Sequence, residues 1–436
     1  MKKDIYHLPV STDSVQAIEA LNHFHAQLLN SGTEGAKILD AAQAHPDVLL
    51  IQCYAAALLL YAQDSVTDAK AIIHLNAAEF LLRQASERER LIFQVMKAWH
   101  RLDYELALTL LTEITTQWPT DCTSVKIAEW IYYCSGQPYQ AKPFLAMCEK
   151  MHTHCKQYPG FLAIHSFALE LNQRYQEAMD MALQAIDMDL VTPWAHHTVG
   201  HVTLNTSQID KGLALYQHYA PTWEKILSFL RGHLYWHFSL YPLAARNETG
   251  ANQYYENGMW GANQNTILEQ LDAIAYLWRM DMAGMPQDKK LLELVKHVGE
   301  HPFEFYMPFI NLHYAYALSR TGHHKEVDHM LTLAKQHAEK LTGVQQHLWR
   351  DITLPLLHGS KAFGQENYQQ AAKDFAPMIS KVTQGGGSDA QDEMFYQAYL
   401  VSLIKSGETK TAQSVFDERL AHYKPTALGE YWLGQI

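Results

Sequence analysis

Cysteine is scarce in this chain of 436 residues: there are five, an odd number. A disulfide framework is therefore excluded as the organising principle, and the thiols are expected to be reduced, as in a cytosolic protein. Long apolar runs are missing too. The longest, VLLIQCYAAALLLYA at 48–62, contains Gln52 and falls short of the roughly 20 residues a membrane helix needs, so it reads as a buried helix. The opening MKKDIYHLPVSTDS has two lysines with no apolar stretch behind them, so no secretory signal is expected. Basic clusters are absent: Lys2-Lys3 and Lys289-Lys290 are isolated doublets, and a net charge of −12 opposes a nucleic-acid backbone as partner. The expectation is a cytoplasmic protein with neither nucleic acid nor membrane as partner. Sustained period-two alternation is also lacking, so the fold class is expected to be all-α.

What the chain does contain is a repeat. AWHRLDYELALTLL, IYYCSGQPYQAKPFL, ALELNQRYQEAMDMAL and VTLNTSQIDKGLALY share one order: apolar helix, polar turn, large residue, then a small residue opening a second helix. The small residues Ala107, Ala141, Ala178 and Gly212 are 34, 37 and 34 residues apart. A tetratricopeptide unit is about 34 residues of helix–turn–helix. Small side chains are needed where its two helices touch most closely. Val327, Ala371 and Ala412 continue the pattern, with Gly322, Gly364 and Gly407 expected in the left-handed conformation that ends a helix. The chain divides into degenerate N-terminal helices (1–86), regular repeats (87–225), an irregular repeat and loop (226–300) and C-terminal repeats (301–436). Together they form a single array, a right-handed superhelical solenoid with a concave inner face. SKVTQGGGSDAQDE at 380–393 has no strand before its glycines and no Walker lysine after them; it reads as a flexible connector.

Seven segments go beyond generic repeat residues: RERLIFQVMKAWHRLDYELAL (88–108), SFALELNQRYQEA (166–178), PWAHHTVGHVTLN (193–205), GHLYWHFSLY (232–241), LDAIAYLWRMDMAG (271–284), PFEFYMPFINLHYAYALSRTG (302–322) and GGSDAQDEMF (386–395). In this order they resemble the family of tetratricopeptide repeat protein 38 and its bacterial relatives, over most of the chain. The chain departs from that pattern at Leu234, at 203–207, and at Asp389 and Asp392. The resemblance implies the repeat fold, first helices lining the concave surface, and a shared pocket. It brings no established reaction.

Histidines mark the candidate pocket. His197 and His201 are four apart and share a helix face, as do His233 and His237 about one repeat later. With His313, up to five imidazoles come from three first helices. As acid–base residues the candidates are His201, His237 and Glu170. As ligand contacts they are His197, His233, His313, Trp194, Trp236, Arg279 and Asp272, with Glu304 a further helper and Trp278 a further wall. A second reading makes His197, His201, His233 and His237 ligands of a transition metal, Zn, Ni, Cu or Fe, since imidazole suits those ions. The glutamate base of an H-E-x-x-H motif is missing, because Thr198 and Val199 occupy those positions. A third reading makes the same residues core packing. Cys148, His152 and Cys155 share one face of another helix and form a weaker zinc candidate, since structural zinc sites take four ligands.

Nucleophile elbows, dinucleotide fingerprints and activated cysteines are absent. Two functions remain: a binding protein whose groove takes a small molecule or a peptide or protein segment, or an enzyme using the histidine cluster on a small metabolite. A peptide groove of this repeat class would carry Asn, Lys and Arg where this chain carries His and aromatics, which favours a closed pocket.

Overall fold

A computed structural model describes all 436 residues. The chain is 76% helical, in 24 α-helices and several short helical turns, and its only strands are the two-residue pieces Lys2–Lys3 and Pro9–Val10, paired antiparallel. The all-α class is as expected. The helices follow one another as pairs, and the turns inside nine of these pairs share one feature. A residue with positive φ ends the first helix: Leu102, Gly136, Gln173, Ser207, Arg246, Gly284, Gly322, Glu366 and Gly407, from 34 to 44 residues apart. In eight of these nine turns the next backbone N–H reaches back five residues, as in Asp103 N to Ala98 O at 2.9 Å, Arg174 N to Leu169 O at 3.0 Å and His323 N to Leu318 O at 2.9 Å. This is the Schellman closure, which satisfies carbonyls that a helix end otherwise leaves without a donor. Five of the nine left-handed residues are not glycine, a conformation that costs about 1–2 kcal/mol for a residue with a Cβ.

Gly322 and Gly407 occupy the left-handed position, as expected. Gly364 does not. It is the last residue of the Leu354–Gly364 helix, and the left-handed residue is Glu366. Gly364 serves packing instead: a Cβ there would lie 2.7 Å from Ser319 Cβ and 2.8 Å from the Tyr316 carbonyl oxygen. The 380–393 segment is also not a flexible connector. Gly385 through Ser388 are buried, Phe309 N–H bonds to Gly385 O at 2.9 Å, and Ser388 caps the Asp389–Ser406 helix.

The chain forms two compact units. One comprises 1–202 with 219–230, the other 203–218 with 231–436. In the first, inner helices such as Leu49–Leu60 and Pro159–Leu171 are buried nearly all round. Their partners Ser65–Leu81 and Tyr175–Met188 bury a single stripe. A helix apolar on every side belongs in an interior; an amphipathic one belongs on the surface. The 48–62 run accordingly forms a core helix, and Gln52 is satisfied by the Ala42 carbonyl at 2.8 Å and His74 Nδ1 at 2.9 Å. No helix is long and apolar enough to cross a membrane.

The N-terminal segment is anchored by one cation. Arg88, 1% exposed, meets Asp4 at 3.2 Å and Asp121 at 2.8 Å. Asp4 holds the hairpin by accepting from Tyr6 N and Leu8 N, and Asp121 caps the Cys122–Cys134 helix through Ser124 N.

The second unit repeats the scheme. Ile267–Met282, Pro308–Arg320, Leu354–Gly364 and Asp389–Ser406 are inner helices, backed by Asp288–Leu294, His324–Lys340, Tyr368–Phe375 and Thr409–Arg419. The small residues picked from the repeat sit where helices touch: Ala371, Ala412 and Val327 are buried, and a Cβ on Gly212 would strike the Tyr241 ring and Thr203 Oγ1.

Two outcomes are expected. Arg88→Ala leaves two buried carboxylates without their cation and should cost about 3–5 kcal/mol in urea unfolding. Gly364→Ala should cost about 1–3 kcal/mol by overpacking backbone rather than a movable side chain. An unchanged denaturation midpoint in either variant would contradict the role assigned here.

Candidate functional site

Three histidines open the Pro193–Asn205 helix, and the structure separates them. His196 is core: it accepts from Trp223 Nε1 at 3.1 Å and stacks on Tyr219 at 4.2 Å. His197 and His201 share the other face. Their Nε2 atoms are 3.2 Å apart, and both imidazoles are at most 1% exposed. Glu170, from the last turn of the inner Pro159–Leu171 helix, brings Oε2 to 3.6 Å from His201 Nδ1. Trp194 stacks on His197 at 4.4 Å with the rings 9° apart, and Phe167 packs edge-on to both histidines. Lys126 lies over Trp194 at 4.2 Å and is paired with Glu129 at 2.8 Å. The first unit thus gathers Glu170, His197, His201 and Trp194. Lys126, Glu129 and Phe167 belong to the same cluster, and their only signal in the sequence is a position on the neighbouring inner helices.

The second unit gathers the rest. His233, Trp236 and His237 are at i, i+3 and i+4 on the Ser228–Ala244 helix. Asp272 and Arg279 are seven apart, on one face of Ile267–Met282. Asp272 receives His233 Nδ1 with both oxygens, at 3.0 and 3.1 Å. The His233 ring stacks on Trp236 at 5.4 Å, 11° from parallel, and His237 meets Trp236 edge-on at 4.7 Å. The Arg279 guanidinium lies 5.6 Å from the Trp236 ring centre. A carboxylate at Nδ1 orients the ring and favours the tautomer with its proton on Nδ1.

His313, on Pro308–Arg320, is wholly buried. Its Nδ1 donates to the Phe309 carbonyl at 2.8 Å, and its Nε2 finds no hydrogen-bond partner. Burial, helped by the Arg279 charge, pushes its pKa down to about 4, so the ring is neutral near pH 7. Trp278 is core: it stacks on Tyr316 at 4.3 Å and 2°. Glu304 pairs with His301 at 2.8 Å.

A cluster that sequence reasoning missed adjoins Arg279. Glu393 accepts from Gln397 at 2.7 Å, Tyr423 Oη at 2.8 Å and His422 Nε2 at 2.9 Å. Arg279 Nη1 is farther from it, at 3.5 Å, while Nη2 donates to the Ala390 carbonyl. Burial opposes charge on both His422 and Glu393, but each is overcome by the other: His422 is raised and Glu393 lowered. No motif marks this pair; the two lie 29 residues apart in the chain.

The zinc candidate at 148–155 does not assemble. Cys148 and Cys155 are buried, Cys155 donates to the Pro119 carbonyl at 3.2 Å, and His152 pairs with His165 at 3.2 Å, so four converging ligands are not formed. A cleft of about 190 Å³ in the second unit lies among Asp281, Arg320, Phe363, Glu366, Lys405 and Tyr431, where several inner helices end; none of the residues chosen from the sequence lines it.

The His422–Glu393 pair predicts a pH signature. The raised His422 pKa contributes stability that is complete below its unfolded value of 6.5 and is lost as pH rises through the folded value. The lowered Glu393 pKa contributes stability present above its unfolded 4.5 and lost as pH falls through the folded value. The difference in unfolding free energy between wild type and Glu393→Gln should therefore peak between about pH 4.5 and 6.5. A pH-independent difference would remove the pairing.

No protein-family model matches this chain.

Proposed function

We propose that this is a helical-repeat protein of tetratricopeptide type, akin to the protein 38 family. It binds a small molecule against its buried imidazoles and aromatics and uses His233 to accept a proton from it. The observation that carries this reading is the Asp272–His233 contact. Both carboxylate oxygens lie within hydrogen-bond distance of one ring nitrogen, on a histidine only 7% exposed. A paired, buried, oriented imidazole is what general-base chemistry near neutral pH requires. A peptide cradle fits less well, because it needs its contact residues at the surface, and His197, His201, His233, His237 and His313 are all buried.

The test is native mass spectrometry of the gently purified full chain, followed by a thermal-shift screen of small metabolites. A bound species of discrete mass, or a stabilising metabolite, should be present in wild type. It should be lost in His233→Asn and weakened in Asp272→Asn, with circular dichroism unchanged. No bound species and no stabilising metabolite, or equal binding by all three proteins, would sink the proposal.

A second reading has its own observation. Two zinc–nitrogen bonds of about 2.0–2.1 Å at a tetrahedral angle hold their nitrogens about 3.3 Å apart. The Nε2 atoms of His197 and His201 are 3.2 Å apart, and Glu170 stands behind His201 Nδ1 as an orienting carboxylate would. In this reading His197 and His201 supply two ligands to Zn or a similar ion. Metal content by inductively coupled plasma mass spectrometry decides it. Near-stoichiometric metal in tag-free wild type, absent from His197→Ala/His201→Ala, is the expected result. A wild-type protein that stays metal-free after incubation with zinc rejects it.

A further inference from the structure

We infer that Arg279 is the anchor for an oxyanion, a carboxylate or phosphate group, carried by the ligand of the His233 site. This rests on the small-molecule reading above and names its substrate class.

The argument starts from donor accounting. A guanidinium carries five N–H donors in a planar fork and has no way to become neutral. Arg279 is 2% exposed, so it is shielded from bulk solvent. The protein supplies few. Nη2 donates to the Ala390 carbonyl, Nη1 lies 3.5 Å from Glu393 with no hydrogen bond made, and Nε has no hydrogen-bond partner.

Glu393 is not a dedicated counter-charge. Its oxygens are already taken by Gln397, Tyr423 and His422 at 2.7 to 2.9 Å, and the 3.5 Å approach of Arg279 is the longest of the four. Arg279 and His422 thus share one carboxylate. Neighbouring acids do not redress this. Burial, with Asp389 as a like-charged neighbour, holds the Asp392 carboxyl toward the neutral form, and Asp389 accepts from Asn205 at 3.0 Å. Asp272 is committed to His233.

The remaining donors sit beside the ring that His233 stacks on. Trp236 has His233 at 5.4 Å and Arg279 at 5.6 Å, so an oxyanion on the guanidinium holds the rest of the ligand against the tryptophan, next to the imidazole held by Asp272. Bidentate N–H···O⁻ pairing is the interaction for which an arginine fork is built, and it is strongest where water is excluded.

The experiment is calorimetric titration of the full chain with sodium phosphate and, separately, sodium malonate, with ionic strength held constant by sodium chloride. Wild type should bind one of the two saturably, and the arm that saturates identifies the headgroup. Arg279→Gln should bind at least about tenfold more weakly, and Arg279→Lys, which keeps the charge and loses the fork, should also be weakened. His233→Asn should still bind, because it retains the anchor. If Arg279→Gln does not fold, Arg279→Lys decides by the same comparison. No saturable binding of either anion by wild type overturns the inference, as does undiminished binding by the arginine variants. A neutral species that co-purifies and is lost in His233→Asn would leave the site reading standing while this inference falls. Anion binding that needs Arg279 but no effect of His233 or Asp272 on any ligand would do the reverse.

Discussion

The structure depends on one repeated backbone event: a left-handed residue that stops an inner helix and sends the chain back along it as an outer one. The same closure recurs at Leu102, Gln173, Ser207, Arg246, Gly284, Gly322, Glu366 and Gly407. Each closure satisfies helix-end carbonyls locally, so the turn can sit in a packed environment. The reversal covers one side of the inner helix with its own partner, and neighbouring pairs cover the others. Pro159–Leu171 and Pro308–Arg320 are buried at nearly every position as a result, although both carry polar and ionisable side chains.

Burial on all sides dictates the chemistry of those helices. A polar group there has no water to turn to and must be paired within the protein. Arg88 is held by Asp4 and Asp121, Lys126 by Glu129, His233 by Asp272, and His422 by Glu393. These pairs vary in completeness. Arg88 has two carboxylates as counter-charges and fixes the N-terminal hairpin. Arg279 shares one with a histidine, a tyrosine and a glutamine. The same architectural rule therefore produces a structural anchor in one unit and an incompletely partnered cation in the other.

Periodicity made much of this legible. The 34-to-37-residue spacing of Ala107, Ala141, Ala178 and Gly212 located helix-pair contacts, because only a small side chain fits there. The i, i+4 spacing of His197 with His201 and of His233 with His237 placed each pair on a helix face, and the i, i+7 spacing of Asp272 and Arg279 does the same. Local pattern was blind to context elsewhere. Gly364 looks like a helix stop, yet Ser319 and the Tyr316 carbonyl require it for close approach. Three consecutive glycines look like a loose connector, yet Phe309 and Ser388 pin them in the interior. His196 and His197 are adjacent and chemically identical, and one turned out to be core because it faces Trp223 and Tyr219.

The amino-acid sequence by itself determined the all-helical class, the pairing of helices and the faces on which the histidines lie. Those properties follow from 3.6-residue periodicity and from which side chains tolerate close contact, and both are local. Only the tertiary structure decided which ionisable groups became partners: Glu170 with His201, Asp272 with His233, Glu393 with His422 rather than fully with Arg279. Such partnerships join residues tens of positions apart, and they depend on angstrom-scale approach in a medium where water no longer levels the differences between one charge and another.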